Sequence, residues 1–396
     1  MKRILFFAVL ILAGSMIFAQ SDELDSWSRA FDRAQTVSEQ LIYVRSVAEG
    51  NYSGAVSFYA KALDRLLIQY PDLTTIAEWD AADTSARILV EKLGEARHAE
   101  SGLNLWRTVE YFSNPLVKAE ALMALGKTGN RAFLPQVIQI LNDLNTRPQS
   151  DIFLRESSER IAYGAIISLE NYKAPEGYLP VFFANTGWYA DRIRTQASIS
   201  LGIILEDPTE PLLSVIQNSG NSYEIRHVAL RTSERSQSSN ENKAKVAVAA
   251  LIEGWRQQVS DQVQRQHLYQ MRLLALNMLR RYGTQDPAVY PPMDRSYMNG
   301  DMDEKLATLQ ALAALASEDS ARLLSGYLNT IHIRRVSNIL TPADEQLVRV
   351  IIPALGTVGS VGRIHSRPIL VQVQQSNDWT NAVKNLAADA LRRIGQ

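Results

Sequence analysis

Apolar residues along most of this chain recur three or four positions apart, the spacing that collects them on one face of an α-helix. The stretch "VKAEALMALGKTG" from Val117 shows it: Val117, Ala121 and Leu125 fall four apart. No pair of alternating stretches joined by a tight hairpin turn stands out. Pro and Gly lie between the periodic blocks, where they end helices rather than interrupt them. The pattern predicts helix after helix, an all-α fold.

The blocks also resemble one another. "VKAEALMALGKTG" and "IRTQASISLGIIL" from Ile193 share a β-branched first residue, a basic second one, Ala four positions on, Leu at eight and Gly at nine. The same opening recurs at Ile225, Met271 and Val383, with weaker copies at Ile161, Ala307 and Leu347. These anchors lie 44, 32, 32, 46, 36, 40 and 36 residues apart. Periods of that size mark stacked helical repeats. Positions 0, 4 and 8 share a helix face. Ala at position 4 lets a neighbouring helix approach, while the larger residues on either side fill the space. After the Gly, a short turn leads to a second apolar helix such as Ala132 to Leu141. One such pair cannot cover its own apolar face, so pairs must stack.

From about Asn114 to the C-terminus the pattern resembles the HEAT-repeat family, including its variants related to phycobilin-lyase repeats. The resemblance is carried by "NPLVKAEALMALGKTGNRAFLPQVIQIL", "DRIRTQASISLGIILEDPTEPLLSVIQ" and "LVRVIIPALGTVGSVGRIHSRPILVQV". It implies a right-handed α-α superhelix, a HEAT-like solenoid, over residues 114–396. Two places depart from it: Glu170 stands where other copies have the turn Gly, and Ser233 to Asn242 reads as a polar insert. Residues 20–113 read as a less regular helical N-terminal cap or adaptor. Within them "GNYSGAVSFYAKALDRLLIQYP", Gly50 to Pro71, resembles the second half of one tetratricopeptide repeat, with Tyr52, Ala55, Tyr59, Ala62 and Pro71 at that family's spacings.

The first twenty residues, "MKRILFFAVLILAGSMIFAQ", form a class of their own. Lys2 and Arg3 precede a nearly unbroken apolar run, and Ala19 offers a small residue at a cleavage point. This is the pattern of a secretory signal peptide over residues 1–19, which is removed before folding matters. Gly14 and Ser15 interrupt the run, and it is short for a membrane span. "LAGS" at Leu12 to Ser15 resembles a lipoprotein box without its Cys, so no lipid anchor is expected. The expectation is a periplasmic or secreted protein with no stable membrane anchor once the signal is cut. With no Cys in the chain, such a protein has no disulfide, no thiolate nucleophile and no Cys-ligated metal.

Charge narrows the function further. Lys+Arg 41 against Asp+Glu 42 gives a formal net charge of −1, which argues against a nucleic-acid partner. Gly126-Lys127-Thr128 has the ending of a phosphate-binding loop. Such a loop needs Gly at position 121, after a buried strand; the chain has Ala there, and "AEALMAL" is helical. Gly126, like Gly202 and Gly356 in their copies, is expected to be a helix C-cap. No nucleophile elbow or zinc-protease motif occurs. His98, His227, His267, His332 and His365 are scattered without ligand spacing. "NGDMDE" at Asn299 to Glu304 lacks most of a calcium loop's ligands. It reads instead as a helix start capped by Asp301 or Asp303.

Neither a catalytic residue, a cofactor nor a metal is therefore expected. The leading expectation is a non-catalytic exported scaffold that binds another protein in the cell envelope through a curved repeat surface. Candidate contact residues are Trp188, Tyr189, Arg192, Arg194 and Arg226. Trp188 and Tyr189 sit with Arg192 in an inter-repeat turn, a grouping typical of interface hot spots; the same aromatics serve equally well to seal the joint between repeats. A basic residue follows the anchor in five copies, at Lys118, Arg194, Arg226, Arg272 and Lys384. That row either greets an anionic partner or pairs internally with acids and helix-end carbonyls. "YPPMDRSYM", Tyr290 to Met298, reads as a rigid loop. Two other readings remain: a cell-wall glycan binder using surface aromatics, and an enzyme subunit, since some HEAT-like relatives attach chromophores.

Overall fold

The computed structural model describes residues 22–257 and 259–395, so the predicted signal peptide lies outside the described residues. Among them there is no strand; the chain is all-α, and its helices pair and stack as a helical repeat. The contacts divide it into two compact units meeting at Leu205 and Glu206.

Unit one holds α1 (22–33), α2 (Val37–Gly50), α3 (Val56–Gln69), α4 (Ile76–Glu95), α5 (Gly102–Tyr111), α6 (Pro115–Thr128), α7 (Leu134–Thr146), α8 (Ile152–Tyr172), α9 (Tyr178–Thr186) and α10 (Asp191–Ile204). From α2 to α10 the even-numbered helices pack one on the next in a single layer. The odd-numbered helices form a second layer, each leaning on its even neighbour. At the start, α1 lies on α3 through Phe31 and Phe58, edge to face at 5.2 Å.

Unit two repeats the arrangement with α11 (Thr209–Gln217), α12 (Tyr223–Arg235), α13 (Asn240–Glu253), α14 (Gln262–Tyr282), α15 (Tyr290–Asn299), α16 (Met302–Leu315), α17 (Glu318–Val336), α18 (Pro342–Val358), α19 (Arg363–Gln375) and α20 (Asn381–Gly395). Again α12, α14, α16, α18 and α20 stack in one layer, with the odd helices against them. The stretch Pro342–Gln375 has the composition of a membrane span, but it forms two helices half buried against α16, α17 and α20.

All eight sequence anchors fall on consecutive even helices, from Val117 on α6 to Val383 on α20. The expected face is the buried one: Val117, Ala121 and Leu125 are fully buried, as are Met271, Ala275 and Leu279. Burying a Leu such as Leu125 completely contributes about 1.5–3 kcal/mol.

Several expectations need correction. Gly126 is not a C-cap. It lies inside α6, and the left-handed cap is Gly129, with φ 70°. Gly126 is instead a contact point: a Cβ there would sit 2.5 Å from the Ser168 carbonyl oxygen on α8. Gly356 likewise lies within α18 and faces Ala390 of α20, while Gly202 lies within α10 with open space around it. The polar stretch Ser233 to Asn242 is no insert; it ends α12, turns, and starts α13 with Ser239 as N-cap. Tyr290 to Met298 is not a loop but helix α15, whose prolines occupy its first turn, where a missing N–H costs nothing.

Candidate functional site

The sequence-selected contact residues part company. Trp188 and Tyr189 stack on each other at 4.4 Å and turn inward. Trp188 Nε1 donates to the Leu144 carbonyl at 2.9 Å, and the Tyr189 hydroxyl donates to Asn145 Oδ1 at 3.0 Å. Burial, with Glu159 nearby, pushes the Tyr189 hydroxyl pKa far up. These rings seal the joint between α7 and α9. Arg192 is exposed, with its guanidinium 5.7 Å from the Tyr163 ring centre. Arg194 is exposed and pairs with Asp191 one turn back on the same helix. Arg226 is only 4% exposed, so it offers nothing to a partner.

Arg226 belongs to the internal version of the basic row. Its Nε donates to the Asn221 carbonyl at 3.1 Å, its guanidinium lies 4.9 Å from the Tyr223 ring centre, and Glu253 is 3.7 Å away. Arg272, the next member, is held more tightly. Its Nε and second terminal nitrogen reach the two oxygens of Glu304 at 2.5 and 3.1 Å, the two-pronged geometry a guanidinium suits best. The same guanidinium lies over Trp255, 4.1 Å from the ring centre. Lys118 is half-buried, and that burial lowers its pKa.

Two glycines make room for the Arg272 pair. Gly254 ends α13, and a Cβ there would meet Arg272 Cγ at 2.6 Å. Gly300 precedes α16, and a Cβ there would meet Glu304 Cβ at 2.8 Å. Asp301 caps α16 by accepting from the Glu304 N–H at 3.0 Å, as the sequence anticipated for "NGDMDE". That cap sets the first turn so that Glu304 points at Arg272.

Above this pair opens a cleft of about 980 Å³, the candidate site. One wall is the first half of α14, which at 21 residues is longer than its layer neighbours α12 and α16, at 13 and 14. The residues after α13 form the opposite side, and the ends of α15 and α16 close it. Leu268, Trp255 and the Arg272–Glu304 pair line the floor. The rim carries three exposed arginines, Arg256, Arg265 and Arg295, one from each side. Carboxamides stand between them at Gln257, Gln262, Gln266 and Asn299.

The carboxylates around the cleft already have partners. Glu304 serves Arg272. Glu253 serves both Arg226 and Arg256, the latter at 3.0 Å. Asp301 caps its helix, and Asp303 accepts from the Tyr269 hydroxyl at 3.3 Å. Arg295 spends one N–H on the Trp255 carbonyl at 3.3 Å. Arg265 makes no ion pair among the described residues. A guanidinium has five N–H donors, so the rim keeps donors to offer. Sequence reasoning named Arg272 and the acidic run separately, but missed the cleft and its rim. The one available signal was the spacing of Arg272 and Glu304, 32 residues, which is one repeat.

No described group of three or more His, Asp or Glu is arranged to hold a metal ion. Two histidines find ordinary partners: His332 Nδ1 accepts from Trp379 Nε1 at 3.0 Å, and His365 lies 3.2 Å from Glu318. His227 is half-buried, and burial with Arg231 and His267 nearby lowers its pKa.

No family model matches the chain, and no curated protein does. Among solved structures, human deoxyhypusine hydroxylase in complex with glycerol aligns at 15% identity over 87% of this chain and 98% of its own, with a TM-score of 0.27. A mutant of Kap121p aligns at 14% identity over 95% of this chain and 45% of its own, with a TM-score of 0.31. Likeness at this level brings neither an activity nor a partner to this chain.

Proposed function

We propose that this chain is a non-catalytic scaffold of the HEAT-repeat type, exported to the cell envelope, which binds another protein through the cleft of unit two. One observation carries the reading. In the cleft, the groups that general acid–base chemistry would need are tied up in structural pairs. What faces solvent there is mainly guanidinium and carboxamide, the chemistry of recognition, with Asp301 and Tyr269 beside them. Arg is enriched at interfaces for that reason. Trp188 and Tyr189, the aromatics singled out as contact candidates, are turned into a repeat joint. Export rests on the signal-peptide pattern of residues 1–19, and cutting after Ala19 makes Gln20 the first residue of the mature chain.

A photo-crosslinking residue placed at Gln266, inside the cleft, tests the reading against one at Gln374 on α19. Carried out in the native host, the first is expected to capture one protein in the envelope fraction and the second none. Equal labelling from both positions, or retention on cell-wall material with no protein adduct, overturns it.

A further inference from the structure

Resting on that protein-binding reading, we infer that the cleft takes an acidic stretch of the partner, a segment of extended chain presenting two or three carboxylates to Arg256, Arg265 and Arg295. Charge complementarity is the first ground. Three guanidiniums converge on one opening from three different elements; Arg256 shares Glu253 with Arg226, and the other nearby carboxylates are already engaged by Arg272, Tyr269 or a helix cap. Bringing a carboxylate there gives the remaining N–H donors a charged acceptor without breaking a pair. Arg presents its donors in a planar fork that matches a carboxylate two bonds at a time.

The second ground is what lies between the arginines. Gln257, Gln262, Gln266 and Asn299 each carry a donor and an acceptor. That mixture matches the alternating N–H and C=O of a peptide backbone. A phosphate backbone accepts hydrogen bonds but donates none, so half of the carboxamide capacity would go unused on it. The cleft also carries the exposed carboxylate of Asp301 in its lining, which repels a dense polyanion but tolerates a peptide whose acids are spaced. Trp255 and Leu268 at the floor give an apolar side chain of the segment somewhere to lie.

The rim is exposed, so its side chains can be changed without opening the core. Fluorescently labelled peptides report binding to the full mature chain by anisotropy. One peptide carries spaced Glu and Asp, a second replaces every acid by its amide, and a single-stranded oligonucleotide stands for polyphosphate. The acidic peptide is expected to bind at least about tenfold more tightly than the amide version, a difference of about 1.4 kcal/mol. It should weaken as salt rises, as exposed charge pairs do. Arg265→Glu with Arg295→Glu should lower its affinity at least about tenfold. Lys245→Glu, a charge change at an exposed site away from the cleft, should leave it unchanged, and matched thermal unfolding would show both variants folded. Equal affinity for the amide peptide, indifference to the rim changes, or tighter binding of the oligonucleotide would overturn the inference. If those results came with intact crosslinking from Gln266, the scaffold reading would stand and only the acidic segment would be lost. Loss of both would remove both.

Discussion

At the scale of single residues, glycines that look alike in sequence do different work. Gly126 and Gly202 hold the same place in their copies, nine positions after the anchor. Gly126 faces the Ser168 carbonyl across a contact too close for a Cβ, while Gly202 faces solvent. Gly126→Ala should therefore destabilise unit one by about 1–3 kcal/mol through overpacking. Gly202→Ala should stabilise it by about 0.5–1 kcal/mol, because Ala is the better helix former. Urea unfolding of the two variants against the parent checks both signs at once. Sequence could not separate the two positions, because the difference lies in how closely the next helix in the layer approaches.

The buried pair makes a second residue-scale prediction. Glu304 is 2% exposed and the Arg272 side chain 13%, so removing Arg272 strands a buried charge. Arg272→Met should cost about 3–5 kcal/mol, and adding Glu304→Leu to it should recover much of that loss. Unfolding midpoints of the single and double variants measure it; a double variant no better than the single would show that the pair's partners, not its charges, hold the site.

Elements explain what the sequence showed and what it hid. The even helices were legible because a buried layer flanked on both sides favours the same small residue at the same step in most copies, as at Ala121, Ala197, Ala229 and Ala275. The odd helices carry no such repeat. The sequence of α15 looks like a loop because Pro291 and Pro292 resemble breakers, although the first helical turn accepts them. The cleft was invisible for a related reason: its rim is drawn from three elements, and no local spacing links Arg256, Arg265 and Arg295.

Caps set where these elements start, and one of them makes stability depend on pH. Thr341 and Asp344 form a reciprocal capping box at α18, and Arg334 reaches Asp344 at 2.8 Å. Burial pushes the Asp344 carboxyl pKa up, but the Thr341 backbone and hydroxyl bonds and the Arg334 charge outweigh it, and the net shift is downward. A depressed carboxyl stabilises the fold above its unfolded pKa, and that stabilisation is lost as pH falls through the folded value. The parent should thus exceed Asp344→Asn in stability at neutral pH, with the gap closing below about pH 4, near the ordinary Asp range. Thermal melts of both proteins over an acid series check this. A gap that stayed constant into acid would mean the carboxylate charge plays no part.

For the whole molecule, the fold was legible and the site was not. Stacked pairs follow from helical periodicity and repeat length alone, since a pair that cannot bury its own apolar face has one remedy. Binding depends instead on which charges stay unpaired once the layers have formed, and residue type does not reveal that: Arg226 and Arg265 are the same amino acid, one buried and one exposed. The export proposal predicts a mature protein beginning at Gln20, read directly by N-terminal sequencing of material from the envelope fraction; a chain still starting at Met1 there would refute cleavage.

The claim on which this account turns is that the arginine rim of unit two meets carboxylates of a protein. A charge-swap cycle tests it most directly, using the partner residue that crosslinks nearest Arg265. Arg265→Glu alone and the partner's acid changed to Arg alone should each weaken binding. Together they should restore it, with a coupling of at least about 1.5 kcal/mol, as for close interfacial charge pairs. Two losses that simply add would contradict the account.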